Sequence, residues 1–245
     1  MAYFTKEYKE ETLNFIDERL SDLHDIEYIM YGSDGGDCSE DVVNDRIATA
    51  GYDMMASWHS CGASKCVFNF EEYDDIVFKI PFCGCLYVEY DDDTDEYIIE
   101  DEICEFTCAG DDNVNQWDYC ETEAKNYIKA VEAGLEDIFA PTEFIGYSHN
   151  VPIYISKNIK RGSGAFKPQN SERSMNAAVS IKSNTKYYEI NDKYLAWYID
   201  KHGETRANEL ISFLNDNYIN DLHCANWRTD DNGDIKIIDY SSWND

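Results

Sequence analysis

Basic side chains are scarce in this sequence. Only 20 lysines and arginines stand against 50 aspartates and glutamates, giving a net charge of −30 over 245 residues, and none lies between Lys79 and Lys125. A chain so short of cations is not suited to bind nucleic acid directly, because that needs a positive surface to displace counterions. No apolar run is as long as a bilayer is thick, so an integral membrane protein is not expected. The opening "MAYFTKEYKEETLNF" is charged almost at once and lacks the pattern of an export signal. With nine cysteines, an odd number, this suggests a reducing cytoplasm. Regular zinc spacing is also missing. Cys83 and Cys85 form a CxC, Cys104 and Cys108 a Cx3C, and no histidine lies close by. Reduced, half-buried thiols are a simpler reading than a structural zinc ion.

What is present suffices for a folded core: 43% hydrophobic residues, 14% aromatics and 19 tyrosines, the last suited to half-buried sheets and interfaces. Charge is unevenly placed. Residues 87–112 carry twelve carboxylates and no basic side chain, whereas from Lys157 to Lys201 nine basic residues outnumber four acidic ones. Part of the surface should repel phosphate and another part attract it.

Periodicity gives a coarse layout. "TKEYKEETLNFIDERLSDL" has a helical stripe at Tyr8, Phe15, Ile16, Leu20 and Leu23. "YGSDGGDCSEDVVNDR" reads as a loop, and "YDMMASW", "KCVFNF" and "DIVFKIPF" as a three-strand meander with "HSCGAS" and "EEYD" at its turns. "CLYVEY" and "DEYIIEDEICEF" suggest an acidic hairpin turning at "DDDT". A helix is expected over "WDYCETEAKNYIKAVEAGL", capped by Asp118, then strands at "TEFIGY" and "VPIYISKNI". "RGSGAFKPQNSERS" reads as a linker, and the remainder as helices stopped at Gly203 and closed by the strand "GDIKIIDY". The fold class is therefore α+β. Three segments are expected: a helical extension at 1–49, a β-rich lobe with the acidic hairpin at 50–160, and a mainly helical lobe at 161–245.

Chemistry concentrates in three places. In "NDLHCANW", Asp221 and Asn226 stand five apart after a helix, and Asp239 follows the strand "IKII". They could be polar turn residues, or a base and two oxygen ligands of a phosphoryl-transfer site. Lys79 sits in the apolar strand "VFKIP", where lysine is rarely buried without a partner, although a snorkelling edge-strand lysine would look the same. Glu123 shares a helix side with Tyr119, Tyr127 and Ala130, whereas Glu121 points round toward Lys125, so Glu123 is the candidate partner unless it is simply solvated.

These residues, in this order over 50–245, resemble the protein-kinase-like fold, and within it the small-molecule-kinase and phage-encoded kinase-like branches. The resemblance implies a bilobal molecule that uses ATP and Mg²⁺. Lys79 would hold the α and β phosphates in partnership with Glu123, Asp221 would be the base, and Asn226 and Asp239 the metal ligands. His223 would be structural or face phosphate. The family's glycine-rich loop is reduced to "HSCGAS", where the backbone of Gly62, Ala63 and Ser64 would meet phosphate or merely form a turn. "VPIYIS" would be the strand entering the hinge, with backbone groups from Tyr154 to Ser156 on the adenine, or an ordinary core strand. His59 is expected at the surface. Six residues follow Asp239, so the family's activation segment and lower helical half are expected to be absent and the C-lobe truncated. The implied substrate is then a small molecule or a partner-bound hydroxyl. The other reading is a weak or inactive scaffold, possible in a viral chain acting in a host cytoplasm, whose acidic surface binds and inhibits a basic, even nucleic-acid-binding, host protein.

Overall fold

The structure is a computed structural model and describes residues 2–24, 26–33, 36–62, 64–103, 117–160, 170–183 and 190–241. In chain order its elements are α1 (Lys6–Ser21), β1 (Tyr31–Ser33), α2 (Asp37–Asp53), β2 (Trp58–Cys61), β3 (Lys65–Asn69), β4 (Ile76–Pro81), β5 (Gly84–Asp91) and β6 (Glu96–Ile103). They continue with α3 (Trp117–Glu132), β7 (Thr142–Ser148), β8 (Val151–Lys157), α4 (Glu172–Ser183), α5 (Asp192–His202), α6 (Glu204–Asp216), β9 (Trp227–Thr229) and β10 (Ile235–Ile237). This is an α+β chain that divides into two compact units. One comprises Ala2–Ala124 with Thr142–Asn158, the other Lys125–Pro141 with Ile159–Asp245.

In the first unit, strand alternation decides which side chains meet. Ile76, Phe78 and Ile80 of β4 are fully buried in a core with Cys66 and Phe68 of β3 and Ile153 and Ile155 of β8. The intervening residues must then point to the opposite face. The sheet runs β2-β3-β4-β8-β7 and all its pairings are antiparallel. Register places Val67 beside Lys79, Lys79 beside Tyr154 and Tyr154 beside Phe144, while Val77, Ser156 and Thr142 form a second row on that face. Cys120 and Ala124 of α3 pack on Tyr154 and cover this side.

Residues 2–49, expected as an extension, pack into the core of this unit. Ile16 and Leu20 of α1 join it, as do Val43, Ile47, Ala50 and Met54, a helical stripe along α2 and its end. The Thr5 hydroxyl accepts from the Tyr8 amide at 3.2 Å and caps α1. Glu143 of β7 accepts from the Phe4 amide at 3.2 Å and from Lys9 Nζ at 3.0 Å, which fixes the approach to α1. Where α1 crosses β7, Gly146 (φ 145°) sits at a bulge, and a Cβ there would lie 2.5 Å from Leu13 Cδ2. A second sheet, β1-β5-β6, has β1 parallel to β5 and the acidic hairpin turning at residues 92–95. Asp91 steadies that turn by accepting from the Asp93 amide and the Thr94 hydroxyl, both at 2.9 Å.

Several expectations are corrected. The supposed loop "YGSDGGDCSEDVVNDR" contains β1 and most of α2, and "YDMMASW" is the end of that helix and its exit, with the strand starting only at Trp58. The glycines and acidic residues mark only the entry to α2, and packing of its apolar stripe outweighs their weak helix propensity. His59, Ser60 and Cys61 lie in β2 and not in the turn. Asp118 lies inside α3 and is not its cap. The expected linker ends where α4 begins at Glu172, and its residues 161–169 lie outside the described residues.

In the second unit, α4, α5 and α6 pack around Leu195, Tyr198, Leu210 and Leu214, together with Phe139. Asn191 caps α5 by accepting from the Lys193 amide at 2.9 Å, and Gly203 (φ 87°) ends it. β9 and β10 form an antiparallel hairpin that is stitched to the segment after α3. Phe139 bridges Ile237, the Ala140 amide donates to the Ile237 carbonyl at 2.8 Å, and the Tyr240 hydroxyl donates to the Ala140 carbonyl at 2.6 Å.

Phe78 is fully buried, and its ring meets those of Phe70 at 5.6 Å and Phe15 at 6.0 Å. Phe78→Ala is expected to cost about 3–5 kcal/mol, the usual price of a large cavity. A urea midpoint lowered at unchanged slope would show it, and an unchanged midpoint would contradict this account of the core.

Candidate functional site

The covered face of the five-stranded sheet carries a buried charged cluster. Lys79 projects from β4 because its neighbours Phe78 and Ile80 take the core side. Its Nζ donates to Glu123 Oε1 from α3. The lysine is 4% exposed and the glutamate 0%, so the pair chosen from sequence is present and neither member is solvated. Thr142, the first residue of β7, donates to the same Oε1 at 2.9 Å and stands 3.0 Å from the Ser156 hydroxyl. A second lysine, Lys65, is 5% exposed and places its Nζ 3.6 Å from Glu123 Oε2. Oε2 is buried and accepts no hydrogen bond. One carboxylate thus faces two ammonium groups, which offsets the cost of burying them.

Lys65, Thr142 and the Ser156 hydroxyl escaped the sequence reading. Lys65 looks like a turn lysine after "HSCGAS", although in "KCVF" it holds the same alternate phase as Val67, opposite in face to Cys66 and Phe68. Cys66, its neighbour, is no nucleophile, since burial pushes its thiol well above the ordinary range.

The remaining phosphate and adenine candidates fare differently. Gly62 is exposed, and its amide donates to the Lys65 carbonyl at 3.0 Å, closing the β2–β3 turn. The Ser64 carbonyl accepts from the Phe82 amide at 3.0 Å, and Ala63 lies outside the described residues. Tyr154 and Ser156 are buried in β8, an interior strand paired on both sides. Their backbone groups belong to the two ladders, so an adenine contact there is corrected. His59 is exposed on β2, as expected.

The second unit holds the other set. After α6, Asp221, Leu222 and His223 lead into a single 3-10 turn, Cys224–Asn226. Asn226 Nδ2 donates to the Asp221 carbonyl at 2.8 Å, and Trp227 Nε1 donates to the Leu222 carbonyl at 3.0 Å, so the loop is tied across its own width. The His223 Nδ1 accepts from the Ala225 amide at 3.2 Å, and its Nε2 lies 3.5 Å from Asp221 Oδ1. The Ile238 amide donates to the Asn226 carbonyl at 2.9 Å, which brings Asn226 and Asp239 to the same end of the β9–β10 hairpin. Asn226 is buried, whereas Asp221 and Asp239 are half-buried. Ser241 donates to Asp239 Oδ1 at 3.3 Å, and Asn126 Nδ2 donates to the Tyr240 carbonyl at 3.1 Å, holding the chain just after Asp239. Asn126 is a further residue that the sequence reading did not single out.

With its amide nitrogen donating to the Asp221 carbonyl, Asn226 could offer Oδ1 to a cation, and with a carboxylate it would make a hard, all-oxygen donor pair. That suits Mg²⁺, which binds through one or two protein oxygens and keeps several waters. Among the described residues no group of three or more His, Cys, Asp or Glu gathers to hold a metal. Of the conceivable zinc ligands, Cys104 and Cys108 lie outside the described residues, and Cys83 donates to the Met30 carbonyl at 3.2 Å.

Removing the carboxylate that both lysines face should be severe. Glu123→Ala is expected to destabilise the first unit by about 3–5 kcal/mol, the range for breaking a buried ion pair from one side. Thr142→Val should cost less, about 1–3 kcal/mol, because it removes one hydroxyl donor. Chemical denaturation of both variants checks the order, and equal, small effects would show that the cluster carries little stability.

No family model, curated protein or solved structure matches the chain, so the site is read from its own geometry.

Proposed function

We propose that the chain is a kinase-like phosphotransferase that uses ATP and Mg²⁺ and transfers the γ-phosphoryl group to a hydroxyl of a small molecule or of a partner-bound substrate. The observation that carries this reading is the Lys79–Glu123 pair, with its lysine on the third strand of the five-stranded sheet and its glutamate on the next helix. A lysine so placed holds phosphate oxygens by charge while the glutamate fixes its direction. The tied loop gives independent support, because Asn226 holds the Asp221 backbone and keeps its own Oδ1 for ligation.

In this reading Asp221 orients the acceptor hydroxyl and takes its proton as the acceptor oxygen bonds to phosphorus and the bond to ADP breaks. Asn226 and Asp239 would hold the metal, which would supply positive charge to the phosphates. The strand-rich first unit would act as the nucleotide lobe, and the mainly helical second unit as the lobe that carries the catalytic loop.

Calorimetry with the unaltered chain is expected to show Mg²⁺-dependent ATP binding. Asp239→Asn should weaken it at least ~10-fold, or about 1.4 kcal/mol. Asp221→Ala should keep binding and lose phosphoryl transfer. No binding by the parent, or unchanged binding by Asp239→Asn, would overturn the reading.

A second reading has its own observation. Residues 92–100 of the acidic hairpin are exposed throughout, and Tyr97, Ile98 and Ile99 stand 40–49% exposed among the carboxylates. Such a surface fits a basic protein partner, bound fast at low salt and weakly at high salt. Neutralising Asp91, Asp92, Asp93 and Asp95 to Asn should then abolish capture of a basic protein while Asp221→Ala leaves it intact. Capture that survives the neutralisation at high salt would remove this reading.

A further inference from the structure

We infer that Lys65 is a second phosphate-binding cation, so that two lysines from adjacent strands, sharing Glu123, grip the nucleotide's polyphosphate. The inference rests on the phosphotransferase reading and extends it to a residue outside the resemblance.

Three features of the geometry carry it. Lys65 and Lys79 lie on one face of the β3–β4 pair, because Val67 is opposite Lys79 and Lys65 is opposite Pro81. They are diagonal neighbours, within the reach of two long side chains. Both are almost wholly buried, and both converge on one carboxylate.

The two lysines are held differently. Lys79 makes a hydrogen bond to Oε1, which Thr142 also uses. Lys65 stands 3.6 Å from Oε2, inside ion-pair range but beyond a hydrogen bond, and Oε2 accepts none. Its attraction to Oε2 is one of charge, with no directional bond to that oxygen. A lysine acts on phosphate as a point charge, which needs proximity more than a fixed angle. The backbone adds a further constraint, since the Gly62 amide donates to the Lys65 carbonyl and ties this lysine to the β2–β3 turn.

A structural alternative would have Lys65 serve only to balance Glu123. The two roles separate by ligand. A phosphate-binding lysine affects ATP far more than adenosine, whereas a structural one affects both alike through the melting of the fold.

Calorimetry is to be run with Mg-ATP and with adenosine on the parent, Lys65→Met, Lys65→Arg and Lys79→Met. Lys65→Met is expected to weaken Mg-ATP at least ~10-fold, the equivalent of about 1.4 kcal/mol. Adenosine binding should change less than twofold, and Lys65→Arg should recover part of the loss. Mg-ATP binding within twofold of the parent in Lys65→Met, or equal losses for ATP and adenosine, would overturn the inference and leave the phosphotransferase reading standing. A parent that binds no Mg-ATP would overturn both. Should Lys65→Met fail to fold, Lys65→Arg and Lys65→Gln give the comparison, and equal Mg-ATP affinity in those two would show that the charge at this position is not used.

Discussion

The Glu123 carboxylate is the constraint on which the first unit turns. It lies at zero exposure on α3 and is met by side chains from three strands: Lys79 of β4, Lys65 of β3 and Thr142 of β7. Burying the two ammonium groups without that carboxylate would be costly. A helix that could otherwise slide over the sheet is thereby given one position. A buried ion pair adds little net stability over an apolar substitute, because desolvation offsets most of its attraction. Its contribution here is to placement, and the proposed chemistry depends on placement more than on stability.

Much of this was readable from the chain, for reasons that can be named. Lys79 betrays itself because a lysine among Val77, Phe78 and Ile80 must either snorkel or be paired. Glu123 follows from helical phase. The spacing of Asp221, Asn226 and Asp239 is local, and the ties that organise the loop are local as well. What stayed hidden depends on distant partners. Strand order is non-local, so nothing near Tyr154 announces that β8 lies between β4 and β7 with its backbone fully used. The start of α4 looks like linker because of its serines and charged residues. Ser171 and Ser174 in fact donate to Asp200 from α5, a partner almost thirty residues away. The stripe Val43, Ile47, Ala50 and Met54 is present in the sequence, but it follows a glycine-rich, acidic entry whose local preference is for a loop.

Charge is sorted within the first unit. The hairpin of β5 and β6 carries carboxylates in open solvent, where water screens their repulsion and the cost of clustering them is small. The cations of the covered sheet face are almost wholly buried, where charges interact more strongly than in open solvent. The overall charge of −30 therefore says little about the local field at Lys65 and Lys79. A small anion there would respond to the two ammonium groups first.

The strand order also sets the sequence of events by which the chain folds. β2, β3 and β4 form a meander of near neighbours, and β7 and β8 form a tight hairpin, so each piece closes over short loops. The seam between them, β4 against β8, joins Lys79 to Tyr154 across an intervening hairpin and helix. Closing that long loop is entropically the slowest pairing in the sheet. On a ribosome, β4 must wait as an edge strand until β8 has emerged, and the covered face cannot be assembled before then. The two lysines cannot gain all the neighbours that bury them until that pairing is made and α3 lies over it.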